Sequence, residues 1–307
     1  MHVTLKAVAT FRGVGLHGGQ RVTMGVEPAA PGAGIVFLRT DAAEGTGRVP
    51  ARHDLVSDTR LCTRLTNAHG VSVGTVEHVM AALAGCGISD VLIRLDGPEV
   101  PIMDGSSRAF VAGFAEAGLV RSGRMRRAIQ IVEPVEVEAD GRYAALFPAP
   151  AFSLRFEIAF DDPAIGRQEI DLAMSGDAFA EELAECRTFG QLAEVEQLRR
   201  MGLARGGSLE NAIVIDRGRV LNVGGLRRAD EFVRHKVLDA VGDLALAGAP
   251  IIGRYEGVKA GHEMTNRLLR ALFDRPSAWR YVPLGAKGMT LGRGPDRRPA
   301  EAASIAV

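Results

Sequence analysis

Cysteine is scarce in this 307-residue chain, and its three examples, Cys62, Cys86 and Cys186, are odd in number and widely spaced. They build neither a disulfide framework nor a Cys-type zinc site, so a reducing cytoplasm is the expected compartment. Net charge is also missing: 37 Lys and Arg balance 37 Asp and Glu. No global field advertises an anionic surface, and no nucleic-acid partner is expected. No run approaches the roughly 18 to 20 apolar residues that span a bilayer, so no transmembrane anchor is expected. The start, MHVTLKAVATF, lacks the basic segment, apolar core and small-residue cleavage site of a secretory signal. What is present is 47% hydrophobic content with little low-complexity sequence, the composition of a folded globular protein with room for about two domains.

A weak internal repeat stands out. TVEHVMAALAGCGISDVLIRL (Thr75 to Leu95) and FVRHKVLDAVGDLALAGAPIIGRY (Phe232 to Tyr255) each read as a helix, a Gly-rich stop and a short apolar strand. Each helix carries one histidine near its start, His78 or His235, with acid close by. Duplicated halves that each donate a metal-competent side chain can close a metal site across a pseudo-twofold interface.

The rest of the chain fits two such halves. VTLKAVATF, QRVTMGVEPA and GIVFLR read as strands, the first two joined by the turn GVGLHGG. Thr75 is expected to N-cap a helix from Val76, with Gly85 or Gly87 as its stop, and a second helix is expected from about Ser107 to Ala117. The basic segment RSGRMRR (Arg121 to Arg127) reads as a linker. IQIVEPVEVEA, YAALFPA and FSLRFEIAF are then strands, and AFAEELAECRTF a helix ending near Thr188. The stretch from Gly190 to Leu221 has no counterpart in the first half. Strands followed by helices, twice over, predict an α+β fold rather than a doubly wound parallel sheet. We expect two similar two-layer α/β sandwich domains related by a pseudo-twofold, with the active site at their interface. Residues 1–123 form the first, with a small β insert near 40–65. Residues 124–284 form the second, with a βαβ-like insert near 190–222. Residues 285–307 are expected to be a flexible tail.

His235, Asp239 and Asp243 fall at successive i, i+4 steps and share one helical stripe. Phe232, Val237, Leu238, Val241 and Leu244 imply that much of this helix is buried, where carboxylates need a partner. Spacing alone is also satisfied by a solvated face or a structural His–Asp contact. In the first-half helix, Glu77 and His78 sit in the first turn, where the dipole favours a carboxylate and a neutral, metal-competent imidazole. Ala81, Ala82 and Gly85 would let another helix approach; taken alone, this helix reads better as small-residue packing around a core histidine. Together the helices offer His78, His235 and Asp239, three ligands that leave an open position of the kind that activates water. Glu77 could stand beside that water as general base. There is no HExxH, so this is not the common metalloprotease motif. His262, in the loop YEGVKAGHEMTN, could act as a protonated electrophile held by Asp243. His2, His17, His53 and His69 sit in terminal or turn contexts and read as non-catalytic, His17 in GVGLHGG being the least ordinary of them.

The blocks GVGLHGG, TVEHVMAALAGCGISD, PEVPIMDGS, FDDPAIG, CRTFG, FVRHKVLDAVGDL and KAGH, in this order, closely resemble the UDP-3-O-acyl-N-acetylglucosamine deacetylases, the zinc amidases of lipid A biosynthesis in Gram-negative bacteria. The resemblance implies one Zn²⁺ per chain, with Fe²⁺ possible, held by His78, His235 and Asp239. It implies Glu77 as general base, and His262, oriented by Asp243, as general acid or oxyanion electrophile. Thr188 would donate to the oxyanion and Lys236 would line the same pocket. Cys62 and Phe189 would lie near the sugar and acyl linkage, and Phe160, Lys259 and Arg142 near the uridine and diphosphate. The insert would form a passage for the hydroxyacyl chain, lined by Leu192, Val195, Leu198, Ala204, Gly207, Ser208 and Val214. The expected substrate is a UDP-linked acylated amino sugar, and the expected state a cytoplasmic monomer. A zinc hydrolase of another N-acyl sugar or lipid amide is the alternative, and a silent metal-stabilised binding protein a more distant one.

Overall fold

The computed structural model describes residues 1–284; the segment 285–307, expected to be a flexible tail, lies outside the described residues. Two five-stranded sheets with the same connectivity organise the chain. In the first half the spatial order is Ala9–Val14, Arg21–Pro28, Val91–Leu95, Ile35–Arg39, Arg48–Pro50. In the second it is Val135–Ala139, Arg142–Phe147, Arg254–Val258, Ser153–Ala159, Arg167–Ala173. Each sheet has one parallel pair, between its third and fourth strands in that order, and antiparallel pairs elsewhere. The repeat seen faintly in the sequence is therefore a repeat of topology.

Each half also ties its beginning to its end. Val3–Leu5 pairs with Leu119–Arg121, and Arg127–Ile131 pairs with Trp279–Pro283. The chain crosses between halves over residues 122–126. Strand faces follow alternation: in Arg21–Pro28, Val22, Met24 and Val26 point inward, while their neighbours are more exposed.

Helices cover one face of each sheet and meet in the middle. They are α1 (Glu77–Gly85), α2 (Arg108–Ala117), a single turn α3 (Gly176–Ala178), α4 (Leu192–Arg200), α5 (Glu231–Ala245) and α6 (His262–Phe273). Phe110 and Phe114 of α2 pack edge-on against Phe11 of the first sheet, at ring centroid distances of 5.1 and 5.9 Å. α6 buries Met264, Leu268, Leu269 and Leu272 on one stripe against the second sheet. α1 and α5 are buried on nearly every side and pack on each other at the junction of the halves. Among the described residues, no helix is long and apolar enough to cross a membrane.

Three local expectations change. The helix expected over AFAEELAECRTF contracts to α3 and a wide π turn, Phe179–Leu183. It stops early because the Arg187 N–H donates to Glu231 Oε1 at 3.0 Å, which pulls residues 186–188 out of a helical path. The small β insert expected near 40–65 is a three-stranded sheet of Val56–Asp58, Arg64–Thr66 and Ser72–Val73. It begins later because Arg48–Pro50 serves as the edge of the main sheet. The insert near 190–222 has Phe189–Gln191 parallel to Ile213–Asp216 with α4 as crossover, followed by Arg219–Val220.

Candidate active site

The site begins with the approach of two helices. A side chain at Gly242 of α5 would sit 2.0 Å from the Glu77 carbonyl oxygen and 3.1 Å from the Ala81 nitrogen. The glycine that admits the partner helix is thus on α5. Gly85, expected to serve that role, instead faces the Phe179 ring, which a Cβ there would strike at 2.1 Å.

This approach brings His78, His235 and Asp239 together, all buried, with one ligand atom from each lying within 4.8 Å of the others. His235 Nε2 lies 3.3 Å and His78 Nε2 3.5 Å from Asp239 Oδ1, and the two rings stand edge to face at 5.0 Å. His235 Nδ1 is 3.0 Å from the Cys186 carbonyl oxygen. Donating there fixes the tautomer and leaves the Nε2 lone pair facing inward. Burial pushes the His235 pKa down to about 4, so the ring is neutral at pH 7. At Asp239 burial favours the acid form, yet Lys236 Nζ at 2.7 Å holds it well below the ordinary carboxylate range. Asp239 Oδ1 and His78 Nδ1 are buried without a hydrogen-bond partner. An unsatisfied carboxylate oxygen between two inward-facing imidazole nitrogens is costly as it stands, and a divalent cation fits it.

Beside this cluster lies an acid–base pair. Glu77 is fully enclosed, and burial raises its pKa, with His262 pulling the other way. His262 is the first residue of α6 rather than part of a loop. A helix N-terminus disfavours an imidazolium, and burial does too. Asp243 overrides both: its Oδ2 is 2.8 Å from His262 Nδ1, and the ring pKa rises to about 9. His262 Nε2 points back to Glu77 Oε1 at 4.0 Å. One residue outside the sequence reading joins the two acids. The Thr63 N–H donates to Glu77 Oε2 at 3.0 Å, and its hydroxyl donates to Asp243 Oδ1 at 2.6 Å. Its neighbour Cys62, expected near the sugar, has a buried thiol whose pKa burial pushes up to about 12, and it does not line the cavity.

The entry to α1 also differs from expectation. Thr75 does not cap it. Its φ is +57°, unusual for a β-branched residue, and its hydroxyl donates to Glu99 Oε1 at 2.8 Å. Glu99 also accepts from the His17 and Gly18 N–H groups, at 2.9 and 3.0 Å. That carboxylate pins GVGLHGG to the start of α1. The same loop is stitched to the second-half insert: the Gly206 N–H donates to the Leu16 carbonyl and the Arg205 N–H to that of His17. His17 itself is buried, and neither ring nitrogen has a hydrogen-bond partner among the described residues.

All of this opens into a cavity of about 570 Å³. Its wall includes Glu77, His78, Thr188, His235, Lys236, Asp239 and His262, with Arg142, Phe160 and Phe189 further out. Phe189 packs on Phe160 at 5.6 Å and on His235 at 6.2 Å, an aromatic path from the half-exposed rim to the metal cluster. Arg142 is held by Glu263 and Asp140 at 2.9 and 3.1 Å. Lys259 lies outside the lining, with positive φ and its N–H bonded to the Glu157 carbonyl. The seven residues expected to line an acyl passage are likewise absent from the wall. Ala204 and Val214 are buried in the insert, and Leu192, Val195, Leu198, Gly207 and Ser208 are half-buried or exposed on it. A Cβ at Gly207 would touch Leu16 at 3.5 Å; it backs the wall that Leu16 forms. The insert-side lining is Phe189, Gly190, Gln191 and Glu194.

Known proteins resemble this chain over almost all of its length. The family model described as UDP-3-O-acyl N-acetylglycosamine deacetylase matches residues 2–274. The UDP-3-O-acyl-N-acetylglucosamine deacetylase of Phenylobacterium zucineum is 54% identical over 277 residues, covering 90% of this chain and 94% of the relative. That of Myxococcus xanthus is 48% identical over 292 residues, covering 94% and 92%. The Haemophilus influenzae protein of the same name is 46% identical over 281 residues, covering 91% and 92%.

Proposed function

The chain belongs to the UDP-3-O-acyl N-acetylglycosamine deacetylase family, and from that membership together with the buried His–His–Asp cluster we propose how it performs a deacetylation. It is an amide hydrolase of lipid A biosynthesis. The substrate we infer is UDP-3-O-(3-hydroxyacyl)-N-acetylglucosamine, cleaved to acetate and the free 2-amine. The observation that carries the mechanism is the meeting, in one cavity, of three open ligand atoms with an enclosed carboxylate and a protonated histidine.

In this proposal His78, His235 and Asp239 hold one Zn²⁺; the donor set also accepts Fe²⁺. Bound there, the ion supplies Lewis acidity that polarises the acetamide carbonyl and acidifies water. Glu77 takes a proton from the attacking water, and its raised pKa suits a base that must release the proton again. The water oxygen bonds to the carbonyl carbon, and Thr188 donates a hydrogen bond to the oxygen that gains charge. His262, charged at neutral pH, stabilises that charge and then gives its proton to the departing nitrogen as the C–N bond breaks. The 4.0 Å between Glu77 and His262 lets the proton held by Glu77 return to the imidazole through a short path. Lys236 keeps Asp239 ionised and faces the same space. Thr63 holds both acids in place.

Further out, Arg142 and Phe160 are proposed to receive the nucleotide, with Lys259 beyond the wall and Cys62 behind it. Arg142 must first exchange Glu263 or Asp140 for phosphate, a substitution its planar fork allows. The acyl chain is proposed to leave past Phe189, Gly190 and Gln191 along the insert. The reaction is assigned to a single cytoplasmic chain. The test is acetate release by the metal-loaded protein from the UDP-linked acyl sugar beside free N-acetylglucosamine. Turnover of the first at least a hundredfold above the second supports the assignment; equal turnover overturns the substrate.

A further inference from the structure

A second cavity, of about 250 Å³, lies at the opposite end of the same helix pair. α1 carries His78 in its first turn and α5 carries His235 and Asp239 up to its middle, and the C-terminal ends of both helices, at Ala84, Gly85, Val241, Leu244 and Ala245, wall this cavity. The first half contributes Ile35 and Ile88, the second Phe152 and Ile251. It is an apolar space between the two halves, separate from the catalytic residues.

Two guanidinium-bearing side chains line it, Arg52 and Arg126, and Arg52 is already paired with Asp54 at 2.6 Å. Arg126, from the crossing segment between the halves, lines the cavity, and its guanidinium makes one hydrogen bond among the described residues, Nη1 to the Gly87 carbonyl at 3.4 Å. The carboxylate that bears on it most is Asp90, and Asp90 is already taken. Its Oδ1 accepts from the Gly32 and Gly34 N–H groups, and its Oδ2 meets Ser89 Oγ and His2 Nδ1. No ion pair joins Arg126 to any described carboxylate. A guanidinium has five N–H donors, so among the described residues most of this fork is unused. Its enclosure lowers its pKa to about 10, which leaves it charged at neutral pH and in need of an anion.

We propose that this cavity is a binding site for a medium-chain alkyl carboxylate, the chain lying between the halves and the carboxylate on the Arg126 fork. The planar guanidinium matches a carboxylate in two parallel hydrogen bonds. The volume equals that of about eight waters, which suits a chain of roughly that many carbons. The site is separate from the deacetylation centre: no residue lines both cavities.

The experiment is calorimetric titration of the metal-loaded full-length protein with sodium hexanoate, octanoate and decanoate, and with 1-octanol as an uncharged chain. Affinity is expected to rise about fourfold per methylene until the cavity is full. Arg126→Gln is expected to weaken octanoate about tenfold or more while leaving 1-octanol unchanged. Ala245→Met, which fills the space, is expected to abolish both, and both variants should keep full deacetylation as proof of fold. No saturable binding overturns the site. Binding that survives both substitutions overturns it too, because the chain would then sit in the catalytic cavity. Sensitivity to Arg126→Gln alone would mean surface ion pairing and no cavity site.

Discussion

Asp243→Asn isolates the contact that charges His262. The substitution keeps an oxygen for the Thr63 hydroxyl but turns an amide toward His262 Nδ1, removing the negative charge at 2.8 Å. With Asp243 the imidazole titrates at about 9. Without it, burial and the helix N-terminus favour the neutral ring while Glu77 and Asp239 still favour the charged one, so the pKa falls well below its present value. The active form is the protonated one, so activity is present below the folded pKa and lost as pH rises through it. The falling limb of the kcat profile should therefore move from about 9 toward the ordinary imidazole value of about 6.5. At pH 7.5 a group titrating at about 9 is almost wholly charged, whereas one at about 6.5 is about one-tenth charged. Turnover at that pH should then drop, by up to about tenfold, and partly recover toward pH 6. Initial rates of acetate release between pH 5.5 and 10, with metal content measured in each sample, are the assay. A basic limb that stays put, or a loss equal at every pH, would refute the account of His262.

Other substitutions separate the roles. Glu77→Ala should lower kcat by roughly 100- to 10,000-fold with metal retained, measured by steady-state kinetics and metal analysis on one preparation; near-normal turnover would remove Glu77 as base. Gly242→Ala drives a methyl into the Glu77 carbonyl and should cost roughly 1–3 kcal/mol in denaturant unfolding, together with weaker metal binding; an unchanged midpoint would show that α1 and α5 do not touch as described. Glu231→Gln breaks a buried pair with Arg187 (2.9 Å) that shapes the turn offering Cys186 O to His235. It should destabilise the chain by about 3–5 kcal/mol and loosen metal in a chelator competition; retention of both wild-type values would dismiss that turn as a support.

What the sequence made legible was what has a period. His235, Asp239 and Asp243 stand one turn apart, and the matching histidine of the other half lies in a helix of the same kind, so a reader of spacing arrives at the cluster. The pairing of Asp243 with His262 followed from the same stripe once the loop histidine was brought to it. What stayed hidden depends on groups without a pattern. The Cys186 carbonyl that orients His235 is backbone, and Thr63 is one hydroxyl in RLCTRLT. The early end of the helix before Cys186 follows from a buried carboxylate 44 positions later in the chain, which no local propensity encodes. Thr75 was misread as a cap because its residue type suits one; Glu99 holds it in a positive-φ conformation instead. The residues expected to line an acyl passage lie on the insert, outside the lining of this cavity; apolar composition shows that a residue is sheltered and not which side of a wall shelters it.

The central claim is that two helices from different halves grip one divalent ion. Metal analysis of the purified protein beside His78→Ala, His235→Ala and Asp239→Ala, with acetate release followed on the same samples, tests it most directly. The account predicts about one equivalent of ion in the unmodified chain, and loss of both ion and turnover in each variant. An unmodified chain that turns over substrate fully after its metal is stripped, or a variant that keeps a full equivalent, would contradict it.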